Sequence, residues 1–317
     1  MLCNIRIASL LCACAVITVS GCASMPGADV TTANASHAKK PGKAGVRPKE
    51  AVCGSSIDWF EVEAFKGSRL ISKAMVQRVQ RRTVRLVLKP EHLMRELVAK
   101  MYPRAKPEDI NLGKYEAYAG RGWCTGTLLN QSTVITAAHC FEPSEKTPSV
   151  YVDDDTKQLN PDQLARLFEA QTNFQFMGAT RTREKETSRS AVQSLLEYGL
   201  RRSGEYDYAI AKIAPFEKSM RMMAMNTEDL AYKSPVAIIH HPHGREKKLS
   251  IGSSDGYTGS TWYYTEADTE EASSGAGILD KDGKLAGIHT DGGCEKEGNN
   301  AGVSISAVKS ASNLLRK

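Results

Sequence analysis

Aromatic residues are scarce in this chain, at 7 % of 317 residues, and neither sign of charge dominates: 42 Lys and Arg stand against 36 Asp and Glu, a formal +6. The basic residues are scattered among acids rather than gathered on one predicted face, so the electrostatic footprint of a nucleic-acid binder is missing and no nucleic acid is expected as a partner. With ordinary charge and 41 % hydrophobic residues, the composition also excludes a disordered or fibrous chain. The apolar run from Ile7 to Val19 falls short of the roughly 20 residues that a helical membrane span needs. No Cys-x-x-Cys pair occurs, which removes the usual spacing of a metal-binding cysteine set. Neither a metal nor another cofactor is expected.

What is present begins with an export pattern: Arg6 beside the amino terminus, the apolar run, then small residues. Val19-Ser20-Gly21-Cys22 resembles a bacterial lipobox, in which cleavage before the cysteine is coupled to acylation of its thiol and of the new amino terminus. Residues 1–22 are therefore expected to be a lipoprotein-type signal peptide, with lipidation at Cys22 anchoring the mature chain to a membrane without spanning it. Ala23 after the cysteine resembles the outer-membrane sorting pattern, so the expected location is the bacterial cell envelope. Residues 23–50, rich in Ala, Gly, Ser, Thr, Pro and Lys, have almost nothing to bury and read as a flexible linker. Residues 51–317 are then one large β domain or a two-barrel unit. Once Cys3, Cys12, Cys14 and Cys22 are set aside, Cys53, Cys124, Cys140 and Cys294 remain, and an even number in an exported chain argues for two disulfides.

Three short stretches carry chemistry. Thr136-Ala137-Ala138-His139-Cys140 closes a β-branched run and leaves an imidazole at a strand end. Ser273-Ser274-Gly275 precedes the apolar Gly277-Ile278-Leu279 and exposes a hydroxyl at a tight turn. Asp207, in Glu205-Tyr206-Asp207-Tyr208, lies between them in sequence and supplies an acid able to orient the imidazole. The order His, Asp, Ser is that of the chymotrypsin arrangement. On these motifs the chain resembles a trypsin-like serine protease over roughly residues 51 to 315, and within that fold the bacterial glutamyl and lysyl endopeptidases.

The resemblance implies an all-β fold of two antiparallel six-stranded barrels, with the active site between them, a carboxy-terminal helix and helical insertions. It pairs Cys124 with Cys140 around the histidine, and leaves Cys53 with Cys294. It implies serine endopeptidase activity on protein or peptide substrates: catalytic His139, Asp207 and Ser274, with the amides of Ala272 and Ser274 as the oxyanion hole. Two positions depart from the family pattern, which has Gly where Ala272 stands and Asp or Asn where Ser273 stands. Because Ala resists the positive φ that Gly tolerates, a weakened or inactive homologue that binds proteins is the alternative function. Ser273 is the rival nucleophile, but only Ser274 is followed directly by Gly. For the substrate-binding pocket, Thr269 and His289 match positions that receive an acidic side chain in glutamyl endopeptidases, whereas Asp268 falls where trypsin-like enzymes select Lys or Arg. Acidic and basic preferences both stay open, with a lean to the acidic.

Along the rest of the chain, Thr83 to Leu88 reads as a strand, Pro90 to Val98 as an amphipathic helix, and Trp123 to Leu129 with Thr133 to Thr136 as a hairpin. Pro161 to Ala170 and Arg189 to Leu200 read as helical, and the interval 141–206 as a surface insertion near the cleft, either a substrate gate or an inert excursion. His240, His241 and His243 invite a metal, but adjacent strand residues face opposite sides and no acid or Cys sits at ligand spacing.

Overall fold

A computed structural model describes residues 52–53, 57–144, 147–178, 182–183, 187–199, 206–294 and 299–316. The expected signal peptide, Cys22 and the linker lie outside these residues.

Twelve strands build two closed barrels. In the first they are Thr83–Leu88 (β1), Gly122–Asn130 (β2), Thr133–Thr136 (β3), Phe168–Gln171 (β4), Arg189–Tyr198 (β5) and Ala209–Ile213 (β6). In the second they are Pro235–His240 (β7), Lys248–Thr258 (β8), Thr261–Thr265 (β9), Gly277–Asp280 (β10), Leu285–Asp291 (β11) and Asn300–Ser304 (β12). All pairs are antiparallel, and the two barrels repeat one connectivity: β1-β2-β3-β6-β5-β4 closing on β1, and β7-β8-β9-β12-β11-β10 closing on β7. Closure leaves no barrel strand with an unpaired edge. Phe60–Glu61 adds a short outer strand beside β8.

The apolar run in β7 shows how such strands are read. Val236 and Ile238 point into the second barrel, while Ala237 and Ile239 point out into a cluster shared with the first. Both faces are covered, so the run is continuously hydrophobic instead of alternating. The shared cluster also holds Leu129, Ile135 and Ile210 from the first barrel and Met75 and Val76 from the helix Lys73–Val79. Ser304 caps the carboxy-terminal helix Ile305–Ala311 by accepting the amide of Ala307 at 3.2 Å, and that helix buries Ile305 and Val308 in the same cluster. The expected helix after Pro90 runs Glu91–Met101 and buries Met94 and Val98.

The helical reading of Arg189 to Leu200 is corrected: the segment is β5, a barrel strand. Val192, Leu195 and Leu196 sit at i, i+3 and i+4, the spacing of a helix face. Two bulges, between Val192 and Ser194 and between Leu195 and Glu197, interrupt the strand's alternation, and Leu196 is exposed, so the three do not form one buried face. Of Pro161 to Ala170, only Pro161–Ala165 is helical, started by an Asn160 capping box. The chain then turns so that Phe168 and Ala170 enter the barrel core from β4. The interval after Cys140 thus contributes two barrel strands, β4 and β5, and among the described residues it adds Ser149–Val152 and Asp155–Gln158, which form a small sheet with Ile110–Asn111, and the short pair Phe176–Met177 and Thr182–Arg183. Both expected disulfides are present: Cys124–Cys140 joins β2 to the turn after β3, and Cys53–Cys294 ties the start of the domain to the segment after β11.

Candidate active site

Strand register brings the histidine to the acid. β3 and β6 pair with Thr136 opposite Ala209, so continuing the antiparallel register past the strand ends sets His139 beside residues 206 and 207. The Asp207 carboxylate then accepts twice from one residue: from the His139 ring at Nδ1, 2.7 Å, and from its own backbone N–H, 3.0 Å. Asp207 is 4 % exposed and the His139 side chain 21 %. A carboxylate can only accept, so Nδ1 carries the proton and Nε2 is left as the basic nitrogen on the open side of the ring.

The serine turn comes from the other barrel, and Thr125 in β2 holds it. Its N–H donates to the carbonyl of Ser274 at 2.9 Å, and its hydroxyl donates to the carbonyl of Ala272 at 2.9 Å while accepting the N–H of His241 at 3.1 Å. Two residues on, Thr127 accepts the N–H of Gly277 at 3.0 Å. Gly275 stands at φ 87°, and a Cβ there would lie 2.0 Å from Thr136 Oγ1 and 2.8 Å from the amide nitrogen of Ala137. The turn therefore packs directly on the strand end that carries His139, and Cys140 Sγ lies 3.9 Å from the Ser274 carbonyl oxygen. Only glycine fits that approach.

Ala272 adopts φ 72°, the left-handed region in which the family pattern has glycine, so the methyl group does not prevent the backbone turn. Ser273 is fully buried and hydrogen-bonded to His240 Nδ1 at 2.7 Å. The hydroxyl of Ser250 donates to the carbonyl of Asp268, so it must accept from His240 Nε2–H, 3.0 Å away. Burial, with the charges of His289 and Lys248 adding, pushes the His240 pKa down to about 3 and keeps the ring neutral. Nδ1 is then the acceptor and Ser273 the donor, while the Ser273 hydroxyl oxygen accepts the N–H of Glu270 at 3.2 Å. This serine–histidine pair is fully buried. It anchors the loop 268–273 from inside the barrel.

The three substrate-pocket candidates are each fully buried. His289 is backed onto the serine turn, its carbonyl accepting from Gly275 N–H at 2.8 Å and its N–H donating to the Ala276 carbonyl at 2.9 Å. Its Nδ1 is hydrogen-bonded to the Tyr264 hydroxyl, and burial, with His139 adding, lowers its pKa to about 4. Thr269 Oγ1 is buried with no hydrogen-bond partner among the described residues. Asp268 has each carboxylate oxygen occupied by a backbone donor from the start of the domain, Cys53 N–H at 2.6 Å and Asp58 N–H at 2.8 Å. Burial and the adjoining Asp268 carboxylate raise the pKa of Asp58.

Cys124, His139 and Cys140 place three potential donor atoms within 4.8 Å, but the two sulfurs are joined to each other and offer no thiolate. The three histidines after β7 do not converge: His240 turns into the barrel, His241 donates from Nδ1 to the Arg245 carbonyl at 2.8 Å, and exposed His243 faces Glu270 at 3.6 Å. Sequence reasoning missed Thr125 and His240 as supports of the serine turn. No local signal identifies them, since each acts on residues more than 30 positions away.

The family model described as lysyl endopeptidase, C-terminal domain, matches residues 108–302, more than half of the chain. No curated protein matches it in sequence. Among solved structures, the serine endoprotease from Yersinia pestis is similar at a TM-score of 0.48 and 14 % identity, over 77 % of this chain and 66 % of that one. The chain thus spans just under two thirds of that protein's length.

Proposed function

The chain belongs to the lysyl endopeptidase C-terminal domain family, and we propose that it is a serine-type endopeptidase that cleaves peptide bonds through an acyl-enzyme on Ser274. His139 Nε2 takes the hydroxyl proton as Ser274 Oγ attacks the scissile carbonyl, and returns a proton to the leaving amine as the C–N bond breaks. Asp207 holds the ring in the required tautomer and stabilises the imidazolium. The amides of Ala272 and Ser274 stabilise the tetrahedral oxyanion. Water, deprotonated by His139, then releases the acyl product. The observation that carries this reading is the double clasp of Asp207 on the His139 ring and backbone, at 2.7 and 3.0 Å.

Fluorophosphonate labelling of the full-length protein in detergent tests it. Labelling is expected in the wild type and in Ser273→Ala, and is expected to vanish in Ser274→Ala and His139→Ala. A folded, disulfide-intact protein that takes no label would overturn the reading and leave a protein-binding module.

For the residue on the acyl side of the scissile bond, the geometry favours an acidic side chain. Thr269 Oγ1, a buried hydroxyl with no partner among the described residues, can donate to a carboxylate, whereas both oxygens of Asp268 are already engaged. A lysine preference is the second reading, favoured by the Asp268 carboxylate at the position where trypsin-like enzymes select a basic side chain and by the family's name. A peptide library varied at that residue separates the two.

Export and a lipid anchor at Cys22 complete the proposal, supported by the Val19 to Cys22 pattern. Mass spectrometry of the mature amino-terminal peptide is expected to find acyl chains on Cys22, and Cys22→Ala to move the protein out of the membrane fraction.

A further inference from the structure

Beside the serine turn lies a cavity of about 890 Å³ whose lining includes Arg85, Arg121, Arg189, Arg245, His243 and Phe174. Arg85, on β1, is 7 % exposed and fixed: Nε donates to Gln171 at 3.0 Å, Nη1 donates to the Gly244 carbonyl at 2.6 Å, and the guanidinium lies 3.7 Å over the Phe174 ring. It forms a rigid cationic floor. Arg121 and Arg245 are exposed, and neither is ion-paired to a described carboxylate. Among the described residues, the acids paired with this lining are Glu169, 3.3 Å from Arg189, and Glu270, 3.6 Å from His243. Among these described residues positive charge is in excess.

The cavity's place relative to Ser274 follows from the backbone. Gly122 and Gly244 pack so closely that a Cβ on Gly122 would lie 2.7 Å from Gly244 Cα, and Gly122 shares β2 with Thr125, which holds Ser274. His243 donates its N–H to the Glu271 carbonyl at 2.5 Å, just before Ala272. With the acyl residue assigned to the pocket candidates Thr269 and His289, the arginine cavity lies elsewhere, at the start of β2, where Gly120, Arg121 and Gly122 line it. A peptide lying across Ser274 with its acyl residue at His289 sends its other half toward the arginines.

We propose that this cavity binds the leaving-group half of the substrate and selects a carboxylate there, an acidic side chain within the first three residues after the scissile bond. The inference rests on Ser274 being the nucleophile. Exposed arginines attract the carboxylate by screened charge, and the buried Arg85 adds a fixed positive field at the floor.

The test compares matched peptides that share the acyl-side residue chosen by the library and carry Glu, Gln or Lys at each of the three positions after the bond. At low salt the Glu peptide is expected to have a kcat/KM about fivefold or more above the Gln peptide at one position, the order of one or two exposed charge pairs, with Lys below both. The ratio should fall toward one in 0.5 M salt and in Arg121→Gln/Arg245→Gln, and persist in Arg245→Lys. A ratio near one in the wild type at low salt, or one unchanged in the double variant, would overturn the proposal. Binding of the same peptides to Ser274→Ala by fluorescence anisotropy separates this inference from the protease reading. A Glu-over-Gln preference in binding without turnover in the wild type keeps the subsite and rejects the enzyme mechanism, and equal binding with normal turnover does the reverse.

Discussion

The hydroxyl of Thr125 donates to the carbonyl of Ala272 at 2.9 Å, so a strand of the first barrel fixes the loop of the second that carries the proposed oxyanion amide. The same oxygen accepts from His241 N–H at 3.1 Å. One side chain thereby couples the two barrels at the point where Ser274 and His139 must meet.

Thr125→Val keeps the shape and removes both bonds. The buried Ala272 carbonyl and His241 amide lose their partner, at a cost of about 1–3 kcal/mol in stability. The kcat is expected to fall more than KM rises, because the loop that stabilises the transition state is loosened. Urea midpoints and steady-state kinetics check this, with Thr125→Ser expected to restore most of both.

Ala272→Gly relieves a left-handed alanine, worth about 1–2 kcal/mol, against about 0.4–1 kcal/mol of added unfolded-state freedom. A net gain of up to about 1 kcal/mol is expected, with kcat equal or higher. A less stable, slower variant would show that the methyl group contributes packing that outweighs its backbone strain.

Gly275→Ala places a methyl 2.0 Å from Thr136 Oγ1 and 2.3 Å from the Thr125 carbonyl oxygen, at φ 87°. Loss of fluorophosphonate labelling and a destabilisation of about 2–4 kcal/mol are expected, since the contacts are with backbone and a locked hydroxyl. Normal labelling would show that the turn has another route past the strand end.

Acid should weaken the fold through two buried histidines. Folded His240 titrates near 3 and His289 near 4, both depressed chiefly by burial, against about 6.5 when unfolded. The unfolded chain therefore binds more protons between those values and 6.5, so this stabilisation is complete above about pH 6.5 and is lost as pH falls. Each histidine contributes a slope of about 1.4 kcal/mol per pH unit. Urea midpoints between pH 7 and 4.5 should decline, and His240→Gln, which cannot titrate, should flatten the decline.

Asp268→Asn weakens the acceptors for Cys53 N–H and Asp58 N–H. A loss of about 1–3 kcal/mol is expected, with the acyl-side preference of the peptide library unchanged. A variant whose preference moves away from lysine would instead identify Asp268 as a substrate contact and favour the lysine reading.

The sequence by itself determined the order His139, Asp207, Ser274, the even set of four cysteines, and the strands on either side of each motif, because these depend on residue types at short range. Covalent pairing of Cys124 with Cys140 and of Cys53 with Cys294 was legible through resemblance, and both bonds are present. Beyond short range the sequence was ambiguous. Val192, Leu195 and Leu196 have a helical spacing although Leu196 is exposed, and only the neighbouring strands decide that this segment closes a barrel. A buried carboxylate must find donors, and whether Asp268 finds them in a substrate or in the chain's own amides is decided by residues more than 200 positions away. The same holds for Ala272, whose positive φ is opposed by its own methyl group and permitted by hydrogen bonds from the other barrel. Local chemistry named the candidate reacting groups, and the tertiary structure decided which partners each of them has, because burial and partner identity are properties of the packed chain.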